Sequence, residues 1–206
     1  MEQSADVLYP LTLNALEARV KRCKKCGLSD TRTNVVFGEG DPAASIMLVG
    51  EGPGQVEDAE GRPFVGPAGQ KLDEVLTSVG ISRDEIYITN IVKCRPPNNR
   101  VPNKGEMAAC SPYLEAQIAL INPGLIITLG NTSTRWFIPT AGGITSTHGN
   151  FLSWRGGIKI FPMYHPSYLL RYPSRAKGSP KYQTWLDIKR VKEWLDEHKH
   201  TEGKDS

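Results

Sequence analysis

The chain has 206 residues, 39% hydrophobic and 23% charged, with a formal net charge of +3. That is enough length for one domain with a sizeable core, and the composition of a folded chain, which excludes a disordered tail or a low-complexity linker. No apolar run approaches the roughly 20 residues needed to cross a bilayer, and the opening MEQSADVLYPLTL lacks the basic start and unbroken apolar stretch of a secretory signal. The expectation is one domain over residues 1–206 with short frayed termini, cytoplasmic, monomeric and without a membrane partner.

In chain order, Leu13, Leu16 and Val20 at helical spacing predict an opening amphipathic helix over 11–23. Ser45–Gly50 (SIMLVG) is a continuous apolar run ending in glycine, as in a buried parallel strand. A glycine-rich loop, GEGPGQVEDAEGRPFVG, follows, and then a helix from Pro67 with Leu72, Val75, Leu76 and Val79 on one face. Ile86–Val92 reads as a second strand, rich in β-branched and aromatic residues. A polar loop over 95–104 leads into a helix around Glu106–Ile121, which Pro112 is expected to kink or divide. Leu125–Leu129 and Ile158–Met163 are the third and fourth strands, with a short helix to Ile138 between them. A last helix covers roughly Lys181–His198, before the polar tail KHTEGKDS.

Strands alternating with helices predict an α/β domain with a central, mainly parallel sheet of four strands. In such folds the functional loops follow the carboxyl ends of the strands. GEGPG follows the first strand, Asn90 lies near the end of the second, and HPSYLLR follows the fourth.

All four cysteines form one spacing pattern. Cys23 and Cys26 make a C-x2-C pair, 67 residues separate Cys26 from Cys94, and 15 separate Cys94 from Cys110. Such a set suits an iron–sulfur cluster or zinc, and spacing does not choose between them; four unrelated buried thiols are the plainer alternative. The cysteines do not overlap the strand-end loops, so a bound centre would be structural. Basic residues cluster beside the first pair (Lys21, Arg22, Lys24, Lys25), after the third cysteine (Arg95, Arg100, Lys104) and after HPSYLL (Arg171, Arg175, Lys177, Lys181). They suit a phosphate backbone or an ordinary solvated surface equally well.

Together the CxxC pair, GEGPGQVEDAEGRPFVGPAGQKL, ITNIVKCRPPNNR, Cys110 and HPSYLLR resemble the family 4, thermostable-type uracil-DNA glycosylases over roughly residues 11–195. The resemblance implies an α/β/α sandwich and a structural [4Fe–4S] cluster on Cys23, Cys26, Cys94 and Cys110. It also implies monofunctional hydrolysis of the N-glycosidic bond of deoxyuridine in single- or double-stranded DNA. By the same resemblance Phe64 stacks on the base, Asn90 reads its edge, and His165 donates to the uracil anion.

Other positions follow from chemistry beside that resemblance. The backbone of Gly50, Glu51 and Gly52 lines the pocket, since glycine lets main chain approach a ligand closely. The GxGPG run lacks a Walker lysine and the GxGxxG spacing, so no nucleotide cofactor is expected. By resemblance to other uracil glycosylase branches, which carry an acid or amide near the start of this motif, Glu51 is the favoured water-positioning acid; Glu57 and Asp58 could instead position the water, exclude the thymine methyl or cap backbone amides. Gly54 stands where some branches carry a thymine-rejecting aromatic. Leu169 is the expected wedge into the vacated base stack, and Arg171, Arg95 and Arg100 are expected on DNA. Two rivals remain: a sister family that traps uracil covalently, disfavoured because RPPNNRVPNKGE has no histidine, and a non-catalytic, metal-stapled nucleic-acid binding module.

Overall fold

The structure is a computed structural model that describes residues 12–202, with side chains through 198. Residues 1–11, including Leu11 of the expected first helix, and the end of the polar tail lie outside the described residues. One sheet organises the fold: β1 (Glu39–Gly40), β2 (Ile46–Gly50), β3 (Tyr87–Asn90), β4 (Leu125–Leu129), β5 (Leu152–Ser153) and β6 (Lys159–Met163). Their order is β1-β3-β2-β4-β6-β5. The four expected strands are its parallel centre. The expected count of four misses two edges, β1 and β5, each two residues long and antiparallel to its neighbour. Strands that short carry too little pattern to be seen in a sequence.

The central strands are continuously apolar because both faces are covered. On one face Met47, Val49, Tyr87, Ile126 and Ile160 pack with α1 (Leu13–Lys21) and α4 (Lys104–Ile121). On the other, Ile46, Leu48, Ile88, Ile127 and Phe161 pack with α3 (Pro67–Thr77) and the last helix, α8 (Pro180–Glu202). Alternation at period two therefore serves two cores at once, each fully buried aliphatic side chain contributing roughly 1.5–3 kcal/mol.

Three local expectations are corrected. The glycine-rich loop contains a helix, α2 (Gln55–Glu60), whose Glu57 carboxylate accepts from the Gly54 amide at its start. α4 runs unbroken through Pro112: its buried Tyr113, Leu114, Ile118 and Ile121 outweigh one lost backbone bond. HPSYLLR is a short helix, α7 (Pro166–Arg171), with the His165 side chain as its N-cap. The short helices α5 (Asn131–Phe137) and α6 (Ile144–Thr147) complete the set.

The register pairs Gly50 with Asn90 at the carboxyl ends of β2 and β3. From β2 the chain passes to β3 on one side and then back across to β4 on the other, so the order reverses beside β2 and opens a crevice there. α3 closes on this crevice through Gly69, where a Cβ would lie 1.8 Å from the Phe64 carbonyl oxygen. Gly69→Ala must push the Phe64 loop outward. It should lower unfolding stability by about 2 kcal/mol, read from urea titration, and an unchanged midpoint would show that the loop yields freely.

Candidate functional site

A cavity of about 610 Å³ opens at the strand ends, and Glu51, Phe64, Asn90, His165 and Arg171 all line it. They come from four stretches of chain, His165 and Arg171 sharing HPSYLLR, assembled by the sheet register. Gly50 does not itself line the cavity but packs behind it, since a Cβ there would lie 2.3 Å from Asn90 Oδ1 and 2.6 Å from Phe64 Cζ. Gly52 is equally confined, against Val92 at 2.7 Å. The Gly50 and Glu51 carbonyls accept from the Ile91 and Val92 amides, which holds the GEG turn to β3.

Phe64 is 5% exposed and has a positive φ of 50°, a strained conformation for a residue with a side chain. Two side chains hold it. Glu57 Oε1 accepts from the amides of Val65 (3.1 Å) and Gly66 (2.8 Å). Arg83 donates to the Phe64 carbonyl at 3.0 Å and to that of Pro63, while ion-paired to Glu39 and Asp73. Nothing local in the sequence marks Arg83 for this task. Its partners are 10 to 44 residues away.

Among the three acids weighed from sequence, two are occupied. Asp58 is 4% exposed and accepts from the Thr33 and Asn34 amides. Glu57 is the clamp just described. Glu51 lines the cavity half-buried. Gly54 also lines it, with Glu57 Oε2 2.7 Å from where its Cβ would be, leaving no room for an aromatic.

Asn90 is 2% exposed, and its Oδ1 is buried without a hydrogen-bond partner among the described residues. Such an orphan typically costs about 1–3 kcal/mol, so it persists where a ligand completes it. Opposite it, His165 Nδ1 lies 2.8 Å from Ser167 Oγ and accepts from the Ser167 amide at 3.2 Å. Accepting at Nδ1 leaves the proton of the neutral ring on Nε2. Burial pulls the ring's pKa down to about 4, helped by the Arg171 charge and opposed by Glu57. At neutral pH the ring is an uncharged donor, 5.9 Å from Phe64 between ring centroids.

The four cysteines meet on the other side of β3. Cys23, Cys26, Cys94 and Cys110 line one small cavity with Arg32 and Lys93. Among the described residues no three His, Cys, Asp or Glu side chains are gathered tightly enough to hold a single ion. Arg32 donates to Cys94 Sγ at 3.1 Å, and the Lys93 amide to Cys110 Sγ at 3.4 Å. Burial pushes the Cys94 thiol up and the Cys110 thiol to about 11.

Sequence reading gave Lys93 no role. It is fully buried, and its ammonium donates to Thr89 Oγ1 (2.6 Å) and to the Asn90 carbonyl (2.7 Å). Thr89 Oγ1 in turn donates to the Phe37 carbonyl. A lysine inside the apolar run ITNIVKC was the available signal.

The expected DNA contacts need correction. Leu169 is 2% exposed and packed inward, so it is not a wedge; the exposed neighbour is Leu170, at 44%. A short helix turns successive residues by about 100°, which a loop reading of HPSYLLR misses. Arg100 forms a bidentate pair with Glu106, at 2.6 and 2.9 Å, which locks the start of α4. Arg95 donates to Asn99 Oδ1. Arg95 is thus tied within its loop, whereas Arg100, exposed despite its pair with Glu106, lines the cavity together with the exposed Arg171.

A model of the uracil DNA glycosylase superfamily matches residues 37–189. The chain is 51% identical over 160 residues to a type-4 uracil-DNA glycosylase of Thermotoga maritima, covering 77% of this chain and 83% of that protein. It is 47% identical over 174 residues to one of Sulfurisphaera tokodaii, covering 81% and 79%. Similarity to a type-5 uracil-DNA glycosylase of Pyrobaculum aerophilum is lower, 33% over 145 residues.

His165 makes stability depend on pH. Its folded pKa of about 4 lies below the roughly 6.5 of an unfolded histidine. Between these values the unfolded chain binds a proton that the folded one refuses. The contribution is complete above about pH 6.5 and is lost as pH falls towards 4, on the order of 2 kcal/mol after allowance for solvent screening. Urea midpoints across this window should fall less steeply in His165→Asn than in the parent, and parallel curves would contradict the assignment.

Proposed function

Since this chain belongs to the type-4 family of uracil-DNA glycosylases, we infer that it excises uracil from DNA as a monofunctional hydrolase. Water replaces the base at C1′ and an abasic site remains. The observation that carries the site assignment is the buried, unpartnered Oδ1 of Asn90, a residue that lines one cavity with Phe64, His165 and Glu51.

The chemistry is assigned residue by residue. The uracil nucleotide leaves the stack at a cost of a few kcal/mol and enters the cavity. Its ring lies on Phe64, whose loop is already held by Glu57 and Arg83. Asn90 Oδ1 accepts from uracil N3–H and Nδ2 donates to O4. Cytosine presents an acceptor and a donor in the reverse order, so both contacts fail unless the amide turns over.

As the glycosidic bond breaks, the electron pair moves into the base. The uncharged His165 Nε2–H donates to O2, where that charge develops. One such preorganised donor is worth on the order of 3 kcal/mol of barrier. Glu51 holds the attacking water at C1′, the two other nearby acids being engaged with backbone amides. Leu170 replaces Leu169 as the wedge, because an inserted side chain must first be exposed.

We assign the four cysteines to a [4Fe–4S] cluster. The support is a four-thiol set lining one small cavity, with Arg32 and Lys93 supplying positive charge beside it. Such a cluster supplies cross-linking and folding energy: it joins the end of α1 to the β3–α4 segment. The reading takes the protein as one domain, monomeric and intracellular, since a repair enzyme works where the genome is.

Two measurements test this. Purified protein mixed with a uracil-containing oligonucleotide, then alkali, should cleave the strand, and intact strands would sink the enzyme reading. Asn90→Asp removes the donor to O4. It should slow uracil release by about 5- to 30-fold, the weight of about one or two kcal/mol at a buried contact, and narrow the uracil-to-cytosine ratio in single-turnover assays. An unchanged ratio would remove Asn90 from the reading role.

A further inference from the structure

A second cavity lies on the far side of α7 from the first, about 310 Å³ between α3 and the start of α8. Its charged lining is Lys71, Glu74, Arg175 and Lys181, and the single carboxylate is already ion-paired with Lys71. Its apolar wall is Trp185, 43% exposed, with the Tyr182 ring 5.9 Å away and the Lys189 ammonium 4.7 Å over the indole. We propose that this groove receives an unpaired nucleotide of the DNA strand that carries the uracil, its base stacked on Trp185 and its phosphates held by Arg175 and Lys181.

Two observations favour nucleic acid as the occupant. Between Glu115 and Asp187 the sequence runs for 71 residues without an acid while carrying seven Lys and Arg. This stretch supplies both His165 and the groove, so the whole approach is attractive to a polyanion. In addition, α7 and the loop after it serve both cavities. Arg171 lines the first and Arg175 the second, four residues apart, with the exposed Tyr172 between them. A strand leaving the uracil cavity past Arg171 meets these groups next. An exposed indole beside cations is the stacking platform that single strands use, whereas paired bases are already stacked on each other.

The proposal rests on the glycosylase reading for its strand, and its test uses uracil-free DNA so that the two can fail separately. Fluorescence anisotropy should show labelled (dT)16 bound more tightly than (dT)6 by the parent protein. Trp185→Ala should weaken (dT)16 by about tenfold, the range of one base–aromatic stack, with (dT)6 and duplex affected little. Trp185→Phe should restore most of the affinity. Lys181→Gln, a surface change, should lower the salt slope of (dT)16 binding by about 0.7, one phosphate contact on a single strand. Unchanged (dT)16 affinity in both variants, or an equal loss on both oligonucleotides or on duplex, would overturn the groove. Absence of uracil release by the parent protein would instead sink the glycosylase reading and leave the binding results standing.

Discussion

The parallel pairing of β2 with β3, in the register that sets Gly50 beside Asn90, is the constraint on which the rest of the site depends. A shift of one residue would turn Asn90 to the opposite face of the sheet and expose apolar residues now buried in both cores. It would also remove the side-chain-free backing at Gly50, against which the Phe64 ring and the Asn90 amide both rest. The register is secured because β2 and β3 are buried on both faces, so slippage has no second solution.

Around Gly50 the protein stores unsatisfied and strained groups and supports them from behind. Phe64 keeps a left-handed backbone because Glu57 and Arg83 hold its neighbours' amides and its carbonyl. Asn90 keeps an open acceptor while its own carbonyl is tied to the buried Lys93. Lys93 also neighbours the cysteine cavity, and burial draws its ammonium down to about 7 against the opposing pull of Cys110 and Cys94. Asn90 and the cysteine cavity thus meet at one residue, Lys93, whose ammonium holds the Asn90 carbonyl and whose backbone amide donates to Cys110 Sγ.

Legibility in the sequence followed the strength of local pattern. The four central strands were plain as short apolar runs, and Asn90 and His165 were marked by their places at strand ends. The helix inside the glycine-rich stretch was hidden, because six residues of polar composition have no readable period. The two edge strands were hidden for want of length. Leu169 and Leu170 could not be told apart while HPSYLLR was read as a loop, since only a helix decides which of two adjacent leucines turns inward.

By itself the sequence determined the α/β alternation, the four-thiol set and the chemical types at the site, because these rest on residue identity, spacing and periodicity. Tertiary structure decided which of those residues are available. It tied Glu57 and Asp58 to backbone amides, paired Arg95 with Asn99 and Arg100 with Glu106, left Asn90 Oδ1 without a partner, and buried Leu169 while exposing Leu170. It also recruited Arg83 and Lys93, which no motif announced. The reason is that whether a polar group is satisfied, and whether an apolar one is exposed, depends on neighbours tens of residues away. Those neighbours are chosen by the packing of the sheet and its two helical layers.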